Sequence, residues 1–542
     1  MCDVNRGARL RAGMLGSLLL PGLAMAQTAP APLEPGNAQR IDGYYARRLE
    51  PATASGTPPV VESRLPETPS TTAGVGGTMT LSRLHVGPSS LLPEAWLHAF
   101  AERQVGRTVS VRDLHALVDE INAEYAVRGL STAQAVLPAQ EIEDGVVRID
   151  LVEGRLGQLE VQSLQPVPDA FLRRRVRLEE GAVVRTDWLR DDLVWINRTS
   201  DLQVRALLRP GAAVGESDVV LVTEAPAPRA LSVFADNAGV DSTGRERIGV
   251  QGQFWGLAGR SDALMGSLAW SDGGLEGRIG YSGLLGRRNG RLGLNLTRNQ
   301  ISLVDGAYRD LDITGESTSY SLDYVQPWIA SQAWMVSTQL GVGRSNSISE
   351  IMGVQVAEVD STVLNAGVLA SYRGDGFEWN LQQTVSRQTT DEETAAGDSF
   401  TTALGRTDWT QRIGQSAWLY RVVLGWQFSG SERLPAGNLF QIGGIGSVRG
   451  YVRGALSGVQ GYYGSAELHR GFAGRHDGYV FVDHGAVEDE SGKRSSIGSV
   501  GVGMNGQLGQ RYAYSVDVGH ALDEVVSYQD SIRIDFRLSA RW

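Results

Sequence analysis

At 542 residues the chain has room for two or more domains with substantial cores. Its formal net charge of −11 argues against a general nucleic-acid binder, whose affinity rests on basic patches. The single cysteine, Cys2, excludes a disulfide framework and cysteine metal sites, and the scattered histidines form no metal-binding pattern.

Residues 1–26 carry Arg6, Arg9 and Arg11, then an apolar run from Ala12 to Leu23, then Ala24-Met25-Ala26. That order of basic, apolar and small residues is expected of a cleavable secretory signal, cut after Ala26. Beyond it, no stretch approaches the roughly 18 apolar residues of a membrane-spanning helix. A membrane location stays open, because barrel strands alternate and never give long apolar runs. Residues 27–77, rich in Pro, Ala, Thr and Gly, read as a linker. Within it, Asn37 to Leu49 reads either as a short polar helix or as a spacer.

Residues 78–153 and 154–226 read as two similar βααββ units. In the first, Leu81 to Val86 is expected as a strand and Glu94 to Gln104 as a helix. A second helix opens with Ser110 and Asp113 spaced as a capping box. Its Leu114, Leu117, Val118, Ile121 and Tyr125 share one face, and Gly129 closes it. Strands follow at Thr132 to Val136 and Val146 to Val152. In the second unit Leu189, Leu193, Ile196 and Asn197 repeat Leu114, Val118, Ile121 and Asn122 at a constant offset. Each unit offers a sheet edge able to accept a further strand.

From residue 227 to 542 the texture changes to short segments that alternate apolar and polar, separated by Gly, Asn, Asp and Ser. In the last, Ile532, Ile534, Phe536, Leu538, Ala540 and Trp542 point one way. Arg533, Asp535, Arg537, Ser539 and Arg541 point the other. Sixteen such strands are counted, from 230–236 to 531–542, an even number that suits a closed outer-membrane barrel. Among the long ones, strands are placed at 316–325, 333–345 and 360–372. Trp328, Trp334, Trp379, Trp409, Trp418 and Trp426 fit interfacial girdles or ordinary packing equally. The fold expected is therefore mostly β: a 16-stranded antiparallel barrel behind two βααββ units.

The longest connection, 429–461, holds Gly443-Gly444-Ile445-Gly446-Ser447-Val448-Arg449-Gly450-Tyr451. Its glycines allow the backbone to bend tightly and approach a wall. Arg449 supplies a planar, permanently charged fork suited to a carboxylate. The segment Tyr479-Val480-Phe481-Val482-Asp483-His484 places Tyr479, Phe481 and Asp483 on one strand face. Val448, Arg449, Gly450 and Tyr451, with Phe481 and Asp483, are thus the candidate elements of a loop pinned inside the barrel. His484 then faces lipid or lies at the membrane edge. Asp483 and His484 point opposite ways, which spoils them as a catalytic dyad. Gly-x-Ser-x-Gly, His-Glu-x-x-His and phosphate-loop patterns are absent from the sequence, so no enzyme activity and no cofactor are expected.

These motifs resemble the two-partner secretion transporters of the haemolysin-activator and filamentous-haemagglutinin-transporter family. The βααββ units are similar to polypeptide-transport-associated (POTRA) domains, through Leu137-Pro138-x-Gln140, Val152-Glu153-Gly154 and Leu208-x-Pro210-Gly211. Asp236-Asn237-x-Gly239 with Thr243-Gly244 resembles the family's entry into the first barrel strand. The resemblance implies a Gram-negative outer-membrane protein with its POTRA units in the periplasm. These would bind an unfolded, haemolysin- or adhesin-like and β-helical exoprotein, exported through the barrel without nucleotide hydrolysis. Asn37 to Leu49 matches the family's plug helix weakly. Terminal Trp542 resembles the aromatic ending read by the outer-membrane assembly machinery. The VRGY loop is shared with the wider superfamily, so the alternative is a factor that inserts β-barrels into the outer membrane. A porin-like channel would leave the two βααββ units unexplained.

Overall fold

The computed structural model describes residues 61–63, 77–163, 167–213, 215–259, 261–306, 308–391, 399–472, 475–525 and 529–542. The signal-like segment and the Asn37–Leu49 stretch lie outside the described residues.

In the first βααββ unit, helices Glu94–Glu102 and Val111–Val127 cover a three-stranded sheet. Its order is Arg83–Val86, Val146–Glu153, Ala133–Val136, the first pair parallel and the second antiparallel. Helix Val111–Val127 starts where Ser110 and Asp113 satisfy each other's backbone N–H groups in a capping box. Leu114, Leu117, Val118, Ile121 and Tyr125 are buried along its inner face. The strand expected from Leu81 begins only at Arg83, because the Leu81 and Ser82 N–H groups bond to Arg107 and Gly145 instead.

Glu153 ends the central strand of this unit and holds the chain that enters the first helix. Its carboxylate accepts from the Ser89 and Ser90 hydroxyls, the Ser90 and Leu91 N–H groups and the Tyr125 phenol. Burial pushes the Tyr125 phenol up to about 12, so it donates rather than ionises.

The second unit pairs strands Gln203–Pro210, Glu216–Glu224 and Arg155–Ser163 in that order, with helices Asp169–Arg173 and Thr186–Thr199 alongside. The segment Val61–Ser63 adds a fourth strand, parallel to Ala206–Leu208, at the outer edge. The repeat between units has a physical meaning at Asn122 and Asn197. Each carboxamide accepts from and donates to one strand residue's backbone, Ala135 in the first unit and Val204 in the second. That double bond docks helix on sheet in both.

Arg175 ties the second unit to the barrel. It donates to Asn289 Oδ1 at 2.6 Å and to the Gly286 carbonyl at 2.9 Å in the turn after the fourth barrel strand. Its guanidinium stacks 3.7 Å from the Phe171 ring centroid.

The barrel closes with sixteen antiparallel strands. Its first strand, Arg229–Asp236, pairs with the last, Ile532–Arg541, through five residue pairs. Side chains reinforce this short seam. Asp236 accepts bidentate bonds from Arg247 and two from Arg537, and Arg533 forks onto Asp241. In the last strand Ile532, Ile534, Phe536 and Leu538 are exposed outward, whereas Asp535, Arg537 and Ser539 are buried inward. A soluble sandwich would reverse that arrangement; an apolar exterior around a polar interior fits lipid outside. His484 is exposed on the outer face beside Tyr462. Among the described residues no helix is long and apolar enough to cross a membrane.

Strands Ile313–Ala330, Trp334–Ile351 and Val354–Gly374 are longer than the sequence spacing suggests and exceed the roughly 9–11 residues that cross a bilayer. At one rim Trp334 meets Tyr372 edge-on at 4.9 Å and Phe377 meets Trp409 at 5.3 Å, as an aromatic girdle does. This is the end from which the βααββ units enter the first strand. The long hairpins extend at the other end.

Candidate functional site

The chain between the eleventh strand, Trp418–Ser429, and the twelfth, Gln460–Phe472, leaves the rim opposite the βααββ units and turns into the barrel. A short hairpin, Phe440–Ile442 paired with Leu456–Gly458, forms its stem. At the base of its tip, Gly443 and Gly444 adopt φ values of 108° and 84°, which side chains with a Cβ rarely reach. Phe440, Ile442, Val448 and Tyr451 then pack on wall residues Val423, Tyr463, Val487 and Ile497. This apolar contact holds the loop against an otherwise polar interior.

Tyr451 is fully buried. Its phenol donates to the Gly498 carbonyl at 2.7 Å and accepts from the Asp523 N–H at 3.0 Å. Gly450 comes so close to the fifteenth strand, Tyr512–Ala521, that a Cβ at Gly519 would lie 2.6 Å from the Gly450 nitrogen. Val448 and Tyr451 therefore seat the loop apolarly, while Gly450 permits backbone contact with the wall.

Arg449, 2% exposed, meets three wall strands, the twelfth, thirteenth and fifteenth. Its Nε and Nη2 donate to Asp483 Oδ2 and Oδ1 at 2.7 Å each, and its backbone N–H adds a third bond to Oδ2. Nη1 donates to Glu467 Oε1 at 2.7 Å and to Asp517 Oδ1 at 3.2 Å, and Nη2 also donates to Ser465 Oγ. All five guanidinium N–H groups thus have acceptors. The guanidinium lies 3.5 Å from the Phe481 ring centroid, a desolvated cation–π contact.

The six residues singled out from the sequence are brought together here. Glu467, Asp517 and Ser465 were not singled out. Glu467 and Asp517 carry a weak signal, each a lone acid on the inward face of an alternating strand, but so does Asp535. Only barrel closure selects those that face Arg449. Chemically the site is a buried cation clamp. Among the described residues no group of side chains is arranged to hold a metal ion.

Comparison with known proteins gives a consistent picture. A family model described as "Haemolysin secretion/activation protein ShlB/FhaC/HecB" matches residues 215–506, and one described as "POTRA domain, ShlB-type" matches residues 79–154. The heme/hemopexin transporter protein HuxB of Haemophilus influenzae is 25% identical over 456 residues, covering 79% of this chain and 80% of the relative. The solved structure of CdiB from Escherichia coli superposes with a TM-score of 0.69 at 19% identity, covering 95% of this chain and all of that one. BamA from Haemophilus ducreyi, lacking POTRA domains 1–3, superposes with a TM-score of 0.55 at 14% identity. Both likenesses to solved structures are likenesses of fold.

Proposed function

We propose, from the premise that this chain belongs to the haemolysin secretion/activation family ShlB/FhaC/HecB, that it exports an unfolded partner protein through its barrel under the control of Arg449. The family consists of two-partner secretion transporters, and the chain is an outer-membrane β-barrel with its POTRA domains in the periplasm. The finer steps are our reading. An extended exoprotein segment adds to a POTRA sheet edge or lies along a helix–sheet groove. The loop carrying Val448, Arg449, Gly450 and Tyr451 shifts off its wall site, and the chain passes. Folding outside makes the passage one-way without nucleotide hydrolysis. HuxB is described as a heme/hemopexin transporter, which supports a secreted polypeptide as cargo. We read that cargo as a large, β-helical haemolysin- or adhesin-like protein.

The observation that carries this reading is the Arg449 clamp. Breaking a buried ion pair from one side costs about 3–5 kcal/mol, so the loop is firmly held yet releasable without breaking a covalent bond. The test is secretion of the partner, followed in the culture medium of cells carrying wild-type or Arg449→Ala protein. Severe loss of export, with a membrane-inserted barrel of normal abundance, is expected. Undiminished export would remove the loop from the mechanism. If deleting the protein instead depletes other outer-membrane barrels and leaves the medium unchanged, the insertion reading replaces this one.

A further inference from the structure

One guanidinium cannot neutralise the three carboxylates it faces, and the remaining charge leads to His469 on the twelfth strand. Glu467 is shared. Its Oε1 accepts from Arg449, while its Oε2 lies 2.9 Å from His469 Nε2. The other ring nitrogen, Nδ1, lies 2.6 Å from Asp477 Oδ2 on the thirteenth strand, His476–Glu488. A neutral imidazole carries one N–H and can donate to only one of these carboxylates. Carboxylates against both nitrogens therefore call for the imidazolium. The ring is 5% exposed and stacks on Tyr479 with centroids 4.7 Å apart, so its orientation is fixed.

The charged and titratable groups around it come from every neighbouring element. The twelfth strand supplies Glu467. The thirteenth supplies Asp477 and Tyr479, whose hydroxyl donates to Asp517 on the fifteenth. The eleventh supplies Arg421, with Nη1 4.0 Å from Glu467 Oε2. Arg421 is itself held by Asp408 on the tenth strand, beside Arg406. The loop supplies Arg449. Arg421 is thus divided between two acids, whereas His469 meets Glu467 directly. Asp477 stands at the periplasmic end of its strand with its side chain 28% exposed, which gives the chain Asp477–His469–Glu467–Arg449 an outlet to the periplasm.

We propose that His469 is a positioning residue of the loop clamp: as an imidazolium it fixes the Glu467 carboxylate where Arg449 meets it, and its deprotonation loosens the loop. This rests on the reading of Arg449 as the clamp. An unperturbed histidine changes charge between about pH 5 and 8, within reach of ordinary buffers.

The experiment measures open probability of the full-length protein in planar phospholipid bilayers between about pH 6 and about pH 9. Wild type is expected to open about tenfold more often at the alkaline end, the change set by one lost hydrogen bond to a charged group. His469→Gln is expected to open readily at every pH. His469→Arg, whose guanidinium keeps two donors, is expected to stay closed at every pH. Asp477→Asn, the milder variant, is expected to begin opening at lower pH than wild type. A wild-type pH profile in both His469→Gln and Asp477→Asn overturns the proposal, as does a His469→Arg channel that opens like His469→Gln. Arg449→Ala separates the two readings. If it opens at every pH while the His469 variants behave as wild type, only the role of His469 fails. If at the acid end it opens no more often than wild type, the clamp itself fails and this inference with it.

Discussion

Arg449 and Asp483 meet as a two-pronged fork, with both 2.7 Å bonds shielded from solvent and a third from the Arg449 backbone to the same carboxylate. The backbone bond does not depend on the side chain at 449, proline excepted, so variants there test the guanidinium itself. Lysine keeps the charge but not the planar fork. Arg449→Lys is therefore expected to retain a residue of export, about tenfold or more below wild type, for the loss of charge-assisted bonds. The exchange Arg449→Asp with Asp483→Arg is expected not to restore export. Glu467 and Asp517, which also bond Arg449, would then face a third acid. Quantifying exoprotein in the medium for the two variants checks both outcomes.

A second prediction concerns Gly519. Its missing side chain is what lets Gly450 approach, since a Cβ there would fall 2.6 Å from the Gly450 nitrogen and 2.8 Å from its Cα. Backbone cannot step aside as a side-chain end can. Gly519→Ala is expected to leave a folded barrel whose loop is displaced, with export falling as in Arg449→Ala. Gly252→Ala, where a Cβ meets nothing within 4 Å, is the control and is expected to export normally. Equal export from both variants would sever loop seating from transport.

The barrel was the most legible part of the chain, because a strand between lipid and water must alternate at every step. Ile532 to Trp542 shows the pattern residue by residue, and the sixteen-strand count follows from repetition. The pattern blurs where that constraint ends. Ser345, Asn346 and Ser347 lie in a strand that continues past the expected border at 345, because ladder hydrogen bonds persist where lipid no longer demands an apolar face. Within the site, Arg449 stands out through its glycines and Asp483 through its aromatic neighbours. Glu467 and Asp517 are 18 and 68 residues from Arg449 and carry no local mark; they meet it through ring closure. The strand Val61–Ser63 was invisible for a related reason. Three residues inside a Pro- and Thr-rich stretch show no period, and their pairing is decided by the edge they find.

The seam gives a third prediction. Five residue pairs hold the first strand to the last, against eight at the neighbouring first–second junction. Asp236 compensates by binding Arg247 on one side and Arg537 on the other, and Arg537 also lies 4.1 Å from the Phe234 ring centroid. Asp236→Ala removes the shared carboxylate from two buried guanidinium groups at the weakest junction. A loss of about 3–5 kcal/mol is expected, read as a lower temperature at which the folded barrel band converts to the unfolded one on electrophoresis. Arg291→Ala, which removes a half-exposed pair with Asp201, is expected to leave that temperature nearly unchanged.

The last prediction concerns the first POTRA unit and is a matter of pH. Burial raises the Glu153 pKa, but the Ser89 and Ser90 hydroxyls and the Ser90 and Leu91 N–H groups outweigh it, so the carboxyl titrates below its ordinary value of 4.5. A carboxylate with a depressed folded-state pKa stabilises the fold fully above its unfolded value and loses that contribution as pH falls through the folded one. Glu153→Gln keeps the shape but replaces the two-oxygen acceptor with one oxygen and a donor that faces other donors. At neutral pH it is expected to cost about 1–3 kcal/mol, seen as faster hydrogen exchange across residues 88–92 in the full-length protein. As pH falls below 4.5, wild type protonates and loses the same interaction, so the two exchange profiles are expected to converge. A gap that stays constant from neutral to acid pH would mean that Glu153 acts through its shape alone.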